Sequence, residues 1–351
     1  MDLNNEGGRS LAEEATVVER VIPLSSPQEW KQALSGIPHS FFHTWEHSYA
    51  MHLTHKLPAF LYCAEADGVR VVCPFIERPI GPYADIATPY GFSGFTGNGV
   101  IPGMPMRWRE FAAQRGYITT YIILHPLFFR DSYAPPDETY PLKTVYVIDS
   151  ALDIGELWRR CSESRRRTLR RWQAGDFAVV TDRHVLSEFF LANYREFFRR
   201  KQATSAYDFS PFTMRFLLSL SDVIAIGVAK GRNLEAVHLS VCTPYAAEYL
   251  FNVSLPGAQY HSAGLIWEAL AEIQRRGIQF LNLGGGLLDH DNLEEFKRRF
   301  GANRYDLKAL KQVFAPERYA ELCARCGASS EARDGYFPAY RTSTGENAPH
   351  V

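Results

Sequence analysis

The sequence predicts an α/β fold of the α+β kind in which one unit occurs twice, each copy a mainly antiparallel, twisted sheet flanked by helices. Three observations predict it. An order of strand, tight turn, strand, glycine-rich loop, helix and strand runs through residues 59–124 and returns through 222–283. That period of roughly 160 residues marks a duplicated domain and not a solenoid. Early strands in each copy are joined by short turns such as Asp67-Gly68, the hairpin dipeptide, so they pair antiparallel, with a parallel or splayed end where a helix crosses over. Finally, 351 residues with 46% hydrophobic and 13% aromatic side chains suffice to fill two cores.

A strand is expected over Val17–Pro23, then a helix after Ser26-Pro27, with proline at its first position. A second helix begins near Thr44 in H-S-F-F-H-T-W-E-H-S-Y. His43 and His47 are spaced i, i+4, but no H-E-x-x-H pattern accompanies them, and beside Phe41, Phe42 and Trp45 they read as packed or substrate-facing rather than metal-binding. A-F-L-Y-C-A-E-A and V-R-V-V-C-P-F-I-E-R-P-I form the first hairpin. The loop G-P-Y-A-D-I-A-T-P-Y-G-F-S-G-F-T-G-N-G follows, then a helix over Met106–Arg115 ended by Gly116, and the strand Tyr117–Leu124. In the second copy the strands are Asp222–Lys230, Leu234–Thr243 and Ala247–Leu255. The loop P-G-A-Q-Y-H-S-A-G then leads to a helix over Leu265–Arg276, ended by Gly277, and to the strand Ile278–Leu283.

That last strand runs into Gly284, Gly285 and Gly286, and a short acidic loop leads to a helix that Asp291 can cap, with Glu294 three residues on and Gly301 at its end. Three successive glycines are costly in chain entropy unless backbone must turn sharply or approach a ligand. Between the copies lies W-R-R-C-S-E-S-R-R-R-T-L-R-R-W, with seven arginines from Arg159 to Arg171, of which Glu156 and Glu163 offset two. Guanidinium groups bind phosphate bidentately, so Arg165, Arg166, Arg167, Arg170 and Arg171 are candidates for a clamp on RNA, a nucleotide sugar or coenzyme A.

A formal net charge of -1 confines any affinity for nucleic acid to a local patch. No apolar run is long enough for a membrane span and the N-terminus does not read as a signal peptide, so a cytoplasmic protein is expected. Six scattered cysteines are no disulfide framework and are expected to be reduced; Cys323 and Cys326 make a C-x-x-C with no second pair to complete a zinc site. Residues 1–15 and 342–351 are polar and expected to be disordered.

Taken together, F-F-H-T-W-E-H-S-Y, C-P-F-I-E-R-P-I, D-I-A-T-P-Y-G-F-S-G-F, S-R-R-R-T-L-R-R-W, L-F-N-V-S, L-N-L-G-G-G, F-K-R-R-F-G and Y-F-P-A-Y-R resemble the FemABX branch of the GNAT acyltransferase superfamily, including its FemAB-like acetyltransferases. The matches spread over residues 40–340. The resemblance implies tandem GNAT-like domains, here 16–150 and 151–310, with a cleft between them and a segment 311–341 that packs back on the first. It implies an acyltransferase whose donor co-substrate is aminoacyl-tRNA or acyl-CoA, and whose acceptor is an amine of a small molecule or peptidoglycan precursor. Neither glycine loop has the G-x-G spacing before its helix that holds a CoA pyrophosphate, which favours tRNA as donor. The long charged helical hairpin that some relatives insert in the second domain is absent from the sequence.

Lys297, in the F-K position, is the first catalytic candidate, to contact donor phosphate or ribose or to stabilise an oxyanion. Asp85 is the second, to bind or deprotonate the acceptor amine, with Tyr83 and Tyr90 lining its pocket. His238 and Asn252 on predicted strands, the glycines 284–286 and Phe296 complete the substrate-binding set. A non-catalytic RNA-binding or scaffold protein of the same fold is the alternative from another class.

Overall fold

A computed structural model of the chain describes residues 16–286, 291–333 and 335–342. The acidic loop 287–290 and the ends expected to be disordered, Thr342 apart, lie outside the described residues. The first unit contains β1 (Val18–Pro23), α1 (Pro27–Leu34), α2 (Trp45–His55), β2 (Ala59–Ala66), β3 (Val69–Ile80), β4 (Tyr83–Ala87), the two-residue β5 (Thr96–Gly97), α3 (Met104–Gln114) and β6 (Thr119–Leu124). After β7 (Thr139–Asp149) the chain forms α4 (Ile154–Arg160), α5 (Glu163–Gln173), β8 (Ala178–Val180), α6 (Arg183–Arg200) and α7 (Pro211–Ser219). The second unit's sheet follows as β9 (Val223–Lys230), β10 (Asn233–Cys242), β11 (Ala247–Ser254), α8 (Ser262–Arg275) and β12 (Phe280–Gly285). Last come α9 (Asn292–Arg298), β13 (Asn303–Val313) and α10 (Pro316–Arg325).

Local signals account for many of these elements. Asp67-Gly68 turns the β2–β3 hairpin with both residues at positive φ, and Thr44 caps α2 by accepting from the His47 amide. Asp291 caps α9 through the Glu294 amide at 2.7 Å. The Glu294 carboxylate accepts from the Tyr146 hydroxyl of β7 at 2.6 Å, which ties the capped turn to the sheet.

The described strands make one sheet in the order β1-β2-β3-β4-β6-β13-β7-β12-β11-β10-β9-β8, with β5 beside β3. Two strand pairs are parallel, β4 with β6 and β11 with β12, and each runs for two residue pairs before the strands part. These are the splayed ends that the duplicated order predicts. The centre of the sheet is an exchange. β13, late in the chain, pairs with β6 of the first unit, while β7, which precedes the second unit, pairs with β12, and β7 and β13 lie side by side. Sequence patterning does not single out β7 or β13, because each alternates weakly and takes its partners from a distant part of the chain.

One core, against α2, α6 and α7, contains Phe190, Phe251, Val237, Val145, Leu307 and Ile123, so it is common to both units. On the opposite face of the second unit's strands α5 and α8 cover a core of Leu169, Trp172, Leu265, Leu270 and Leu281. Beyond β13, α10 and the turn Ala339–Arg341 pack Tyr319, Phe337 and Tyr340 on Ile118, ahead of β6. Among the described residues no helix is long and apolar enough to cross a membrane, and all six cysteines are free thiols.

Candidate functional site

The β11–β12 ladder stops after Glu248–Asn282, and the register of β12 against β7 slips between Asn282 and Gly285. Gly284 turns at φ +70, with its N–H donating to Asn282 Oδ1 at 2.8 Å, and a Cβ on Gly285 would run into the Thr144 carbonyl. The glycines are therefore required by a sharp turn pressed against β7. Their carbonyls point at two amines: Lys297 Nζ donates to Gly285 O at 2.6 Å, and Lys143 Nζ to Gly286 O at 3.1 Å. The Tyr249 ring of β11 completes this end of the opening, 5.7 Å from Lys297 Nζ.

Lys297 is 6% exposed. Burial pulls its pKa down to about 7; the charge of Lys143 acts in the same direction and Asp291 opposes it. A buried lysine with a lowered pKa, at the point where two strands separate, makes this a candidate site. Farther along β11, Tyr249 lies 5.2 Å from the His238 ring, and His238 pairs across the ladder with Asn252. His238 Nε2 meets Ser240 Oγ at 2.7 Å, and burial lowers its pKa to about 3, so the ring is neutral. Asn252 is 8% exposed, yet neither its amide nitrogen nor its oxygen finds a hydrogen-bond partner among the described residues, and His238 Nδ1 finds none either. Such groups carry a desolvation cost that a ligand can remove. From the first unit, Tyr90 packs against Tyr207 at 6.0 Å and Phe209 at 5.0 Å, and burial keeps its hydroxyl protonated beside Tyr207 and Tyr249.

The same architecture occurs in FemX, to which the structure is similar with a TM-score of 0.66 and 11% identity, over 84% of this chain and 98% of that one. The chain has the fold of FemX. It is also similar to L-PGS from Bacillus licheniformis, with a TM-score of 0.55 and 14% identity over 86% and 94% of the two chains. A protein of unknown function from Bacteroides thetaiotaomicron aligns at 0.57 and 11%, over 85% and 100%. No protein-family model matches the sequence, and no curated protein does. The mixed α/β architecture expected from the sequence, a twisted, mainly antiparallel sheet flanked by helices, is thus present.

Within this FemX-like fold, several candidates stand apart from Lys297. Asp85 is fully buried on β4 and accepts from Arg78 Nε at 2.6 Å, Arg341 Nε at 2.7 Å and the Tyr340 hydroxyl at 2.8 Å. Its two oxygens fasten the C-terminal turn to the first unit, and β4 lies four strand positions from β12, about 19 Å across the sheet. Tyr83 belongs to the same corner, its ring 4.7 Å from the Arg318 guanidinium. The pocket of Asp85, Tyr83 and Tyr90 expected from sequence is therefore not assembled: Tyr90 faces the second unit and the other two face the C-terminal segment.

The arginine run is also divided. Arg165 is buried between Phe296 and Phe300, at 4.4 and 4.2 Å, and donates to the Phe296 carbonyl, so Arg165 and Phe296 form the joint between α5 and α9. Arg166 donates to the carbonyls of Arg159 and Cys161 at the end of α4. Arg167 pairs with Glu163, Arg170 lies 5.6 Å from the Trp158 ring, and Arg171 reaches solvent, so these three present charge outward. His47 is also structural, donating to the Tyr90 carbonyl at 2.6 Å, and His43 Nδ1 bonds with Ser40.

Both glycine loops are filled by the protein itself. A Cβ on Gly91 would meet the Phe42 ring, one on Gly94 the Ile123 carbonyl, and one on Gly264, in the first turn of α8, the Trp172 indole. Lys143, Tyr249, Tyr207 and the buried pair His125–Glu248 were missed by sequence reasoning. Tyr249 and Glu248 lie inside a correctly expected strand, but nothing local distinguishes them from core-facing neighbours.

Proposed function

We propose that this protein is an N-acyltransferase of FemABX type that moves an aminoacyl group from aminoacyl-tRNA to the amine of a small-molecule or cell-wall precursor. The observation that carries the reading is the buried Lys297 amine, held on the Gly285 carbonyl where β11 and β12 part. In the reaction the neutral acceptor amine attacks the ester carbonyl, a C–N bond forms, the C–O bond to the ribose breaks, and the amine's proton ends on the leaving hydroxyl. A protonated Lys297 beside the carbonyl supplies the positive charge that the tetrahedral oxyanion needs, in a site shielded from water. The unpartnered Asn252 amide and neutral His238 offer donor and acceptor atoms to an uncharged polar group of a substrate.

A tRNA donor is supported by the outward Arg167, Arg170 and Arg171, and by the packing of Trp172 on Gly264, which covers the first turn of α8 where its backbone amides would otherwise hold a CoA pyrophosphate. Asp85, saturated and distant, is not assigned a part in proton transfer.

Incubation with a pool of aminoacyl-tRNAs and acyl-CoAs, followed by mass measurement of the amines present, tests the reading. Consumption of charged tRNA that is lost in Lys297→Met supports it. Consumption of acyl-CoA alone makes the protein a CoA-dependent acetyltransferase, and consumption of neither in a folded protein leaves a binding role.

A further inference from the structure

Where α5 ends, on the side away from α9, a recess of about 430 Å³ lies beside the first turn of α8. Its floor is a set of packed rings. Trp172 and Phe177 are 4.7 Å apart, Phe177 and His261 5.1 Å, and His261 and Tyr260 4.0 Å, while Trp172 Nε1 donates to His261 Nδ1 at 3.0 Å. Two glycines make this packing possible, since a Cβ on Gly175 would run into Phe177 and one on Gly264 into Trp172.

The rim is charged, with Arg171, Lys230 and Asp176 around the mouth. Tyr260 stands between floor and rim: its hydroxyl donates to Glu235 at 3.1 Å, yet the residue is 57% exposed. Its ring is therefore open to a ligand in a recess that Arg171 and Lys230 also line. A flat ring surface with two cations and two carboxylates, Asp176 and Glu235, around it offers what a nucleotide needs: a base to stack, a phosphate to neutralise, and acceptors for hydroxyl or amino hydrogens.

We propose that this recess holds one nucleotide of the single-stranded 3′ end of the donor RNA. Its base stacks on Tyr260 and Phe177, its phosphate meets Arg171 and Lys230, and Asp176 accepts from a ribose hydroxyl or a base amine. The proposal rests on the aminoacyl-tRNA reading. The position suits a strand that also reaches the glycine turn, because α5 connects the two places: Arg165 packs against α9, and Arg171, about 9 Å farther along the helix axis, lines the recess. Between them, Arg167 and Arg170 face solvent as phosphate contacts along the way.

The test is anisotropy of a fluorescein-labelled RNA oligonucleotide ending in CCA, with AMP as competitor, beside the kinetics of transfer from charged tRNA. Tyr260→Ala is expected to weaken oligonucleotide binding about tenfold or more, whereas Tyr260→Phe, which keeps the ring, binds like wild type. Lys230→Met is expected to flatten the slope of log affinity against log salt by about 0.7. In transfer assays both Tyr260→Ala and Lys230→Met are expected to raise KM for charged tRNA. Wild-type affinity and salt slope in both variants overturns the proposal, as does AMP binding tighter than the oligonucleotide, which makes the occupant a free nucleotide. Transfer from charged tRNA with KM unchanged in both variants rejects the recess and leaves the transferase reading intact. Binding that depends on Tyr260 and Lys230, without transfer, supports the recess and rejects the transferase.

Discussion

His125 Nε2 lies 2.9 Å from Glu248 Oε1, and this fully buried contact joins the end of β6 in the first unit to β11 in the second. Burial raises the Glu248 carboxyl above its ordinary range, while His125 and the neighbouring Asn282 act against the rise. Asn282 in turn holds the N–H of Gly284, so it links the pair to the turn whose Gly285 carbonyl accepts from Lys297. Removing one partner leaves an uncompensated polar group in the core at a cost of about 3–5 kcal/mol. Glu248→Ala and His125→Ala should each show that loss in denaturant melts, and the double replacement by leucine should recover much of it.

Lys297 has a pKa of about 7 in the folded protein against an ordinary value of 10.5. Between those values the unfolded chain binds more protons than the native one, so this group makes stability rise with pH from about 7 to 10.5 and imposes its full penalty below 7. Lys297→Met should therefore raise the melting temperature at pH 7 and remove that part of the pH slope. If the ammonium is the form that stabilises the oxyanion, transfer by wild type falls as pH rises through about 7, and Lys297→Met is inactive on both sides. A rate that climbs through pH 7 with the lysine present would assign the amine the opposite role.

Asp85 lies between Arg78 and Arg341, and its replacement by an apolar residue takes a buried carboxylate away from two guanidiniums at once. Asp85→Ala is expected to destabilise by about 3–5 kcal/mol. In the fraction that remains folded, kcat should equal that of wild type. A selective fall in kcat with unchanged stability would restore Asp85 to the chemistry.

Within the arginine run, effects should separate by position. Charge reversal at Arg166 breaks its bonds to the Arg159 and Cys161 carbonyls and should act on stability. Reversal at Arg167 or Arg170 should leave the melting temperature nearly unchanged and flatten the salt dependence of RNA binding, by roughly 0.7–0.9 in slope for each phosphate no longer neutralised.

Gly264 is predicted to serve packing, not a ligand. Gly264→Ala forces a methyl group against the Trp172 indole, and overpacking of this kind typically costs about 1–3 kcal/mol. A melting temperature equal to wild type would mean that Trp172 moves freely and that the first turn of α8 is more open than its packing indicates.

Elements whose causes are adjacent residues were legible in the sequence. Asp67-Gly68 specifies a hairpin because both positions need positive φ, Asp291 caps α9 through an amide three residues on, and the order of strands, loop and helix repeats because the unit is duplicated. The motif around Phe296-Lys297 lies where its lysine meets the Gly285 carbonyl at the end of β12. Which residues meet, by contrast, is a property of the packed chain. β7 and β13 change places, Lys143 reaches a glycine carbonyl 143 residues away, and Asp85 is claimed by Arg341 from 256 residues away. An arginine in a dense run looks the same in sequence whether it ends between two phenylalanine rings, as Arg165 does, or in solvent, as Arg171 does. Local signals fix dihedral angles and helix ends, whereas burial and partnership are settled by packing of distant segments, which sets whether a charge is held, shifted or left to bind.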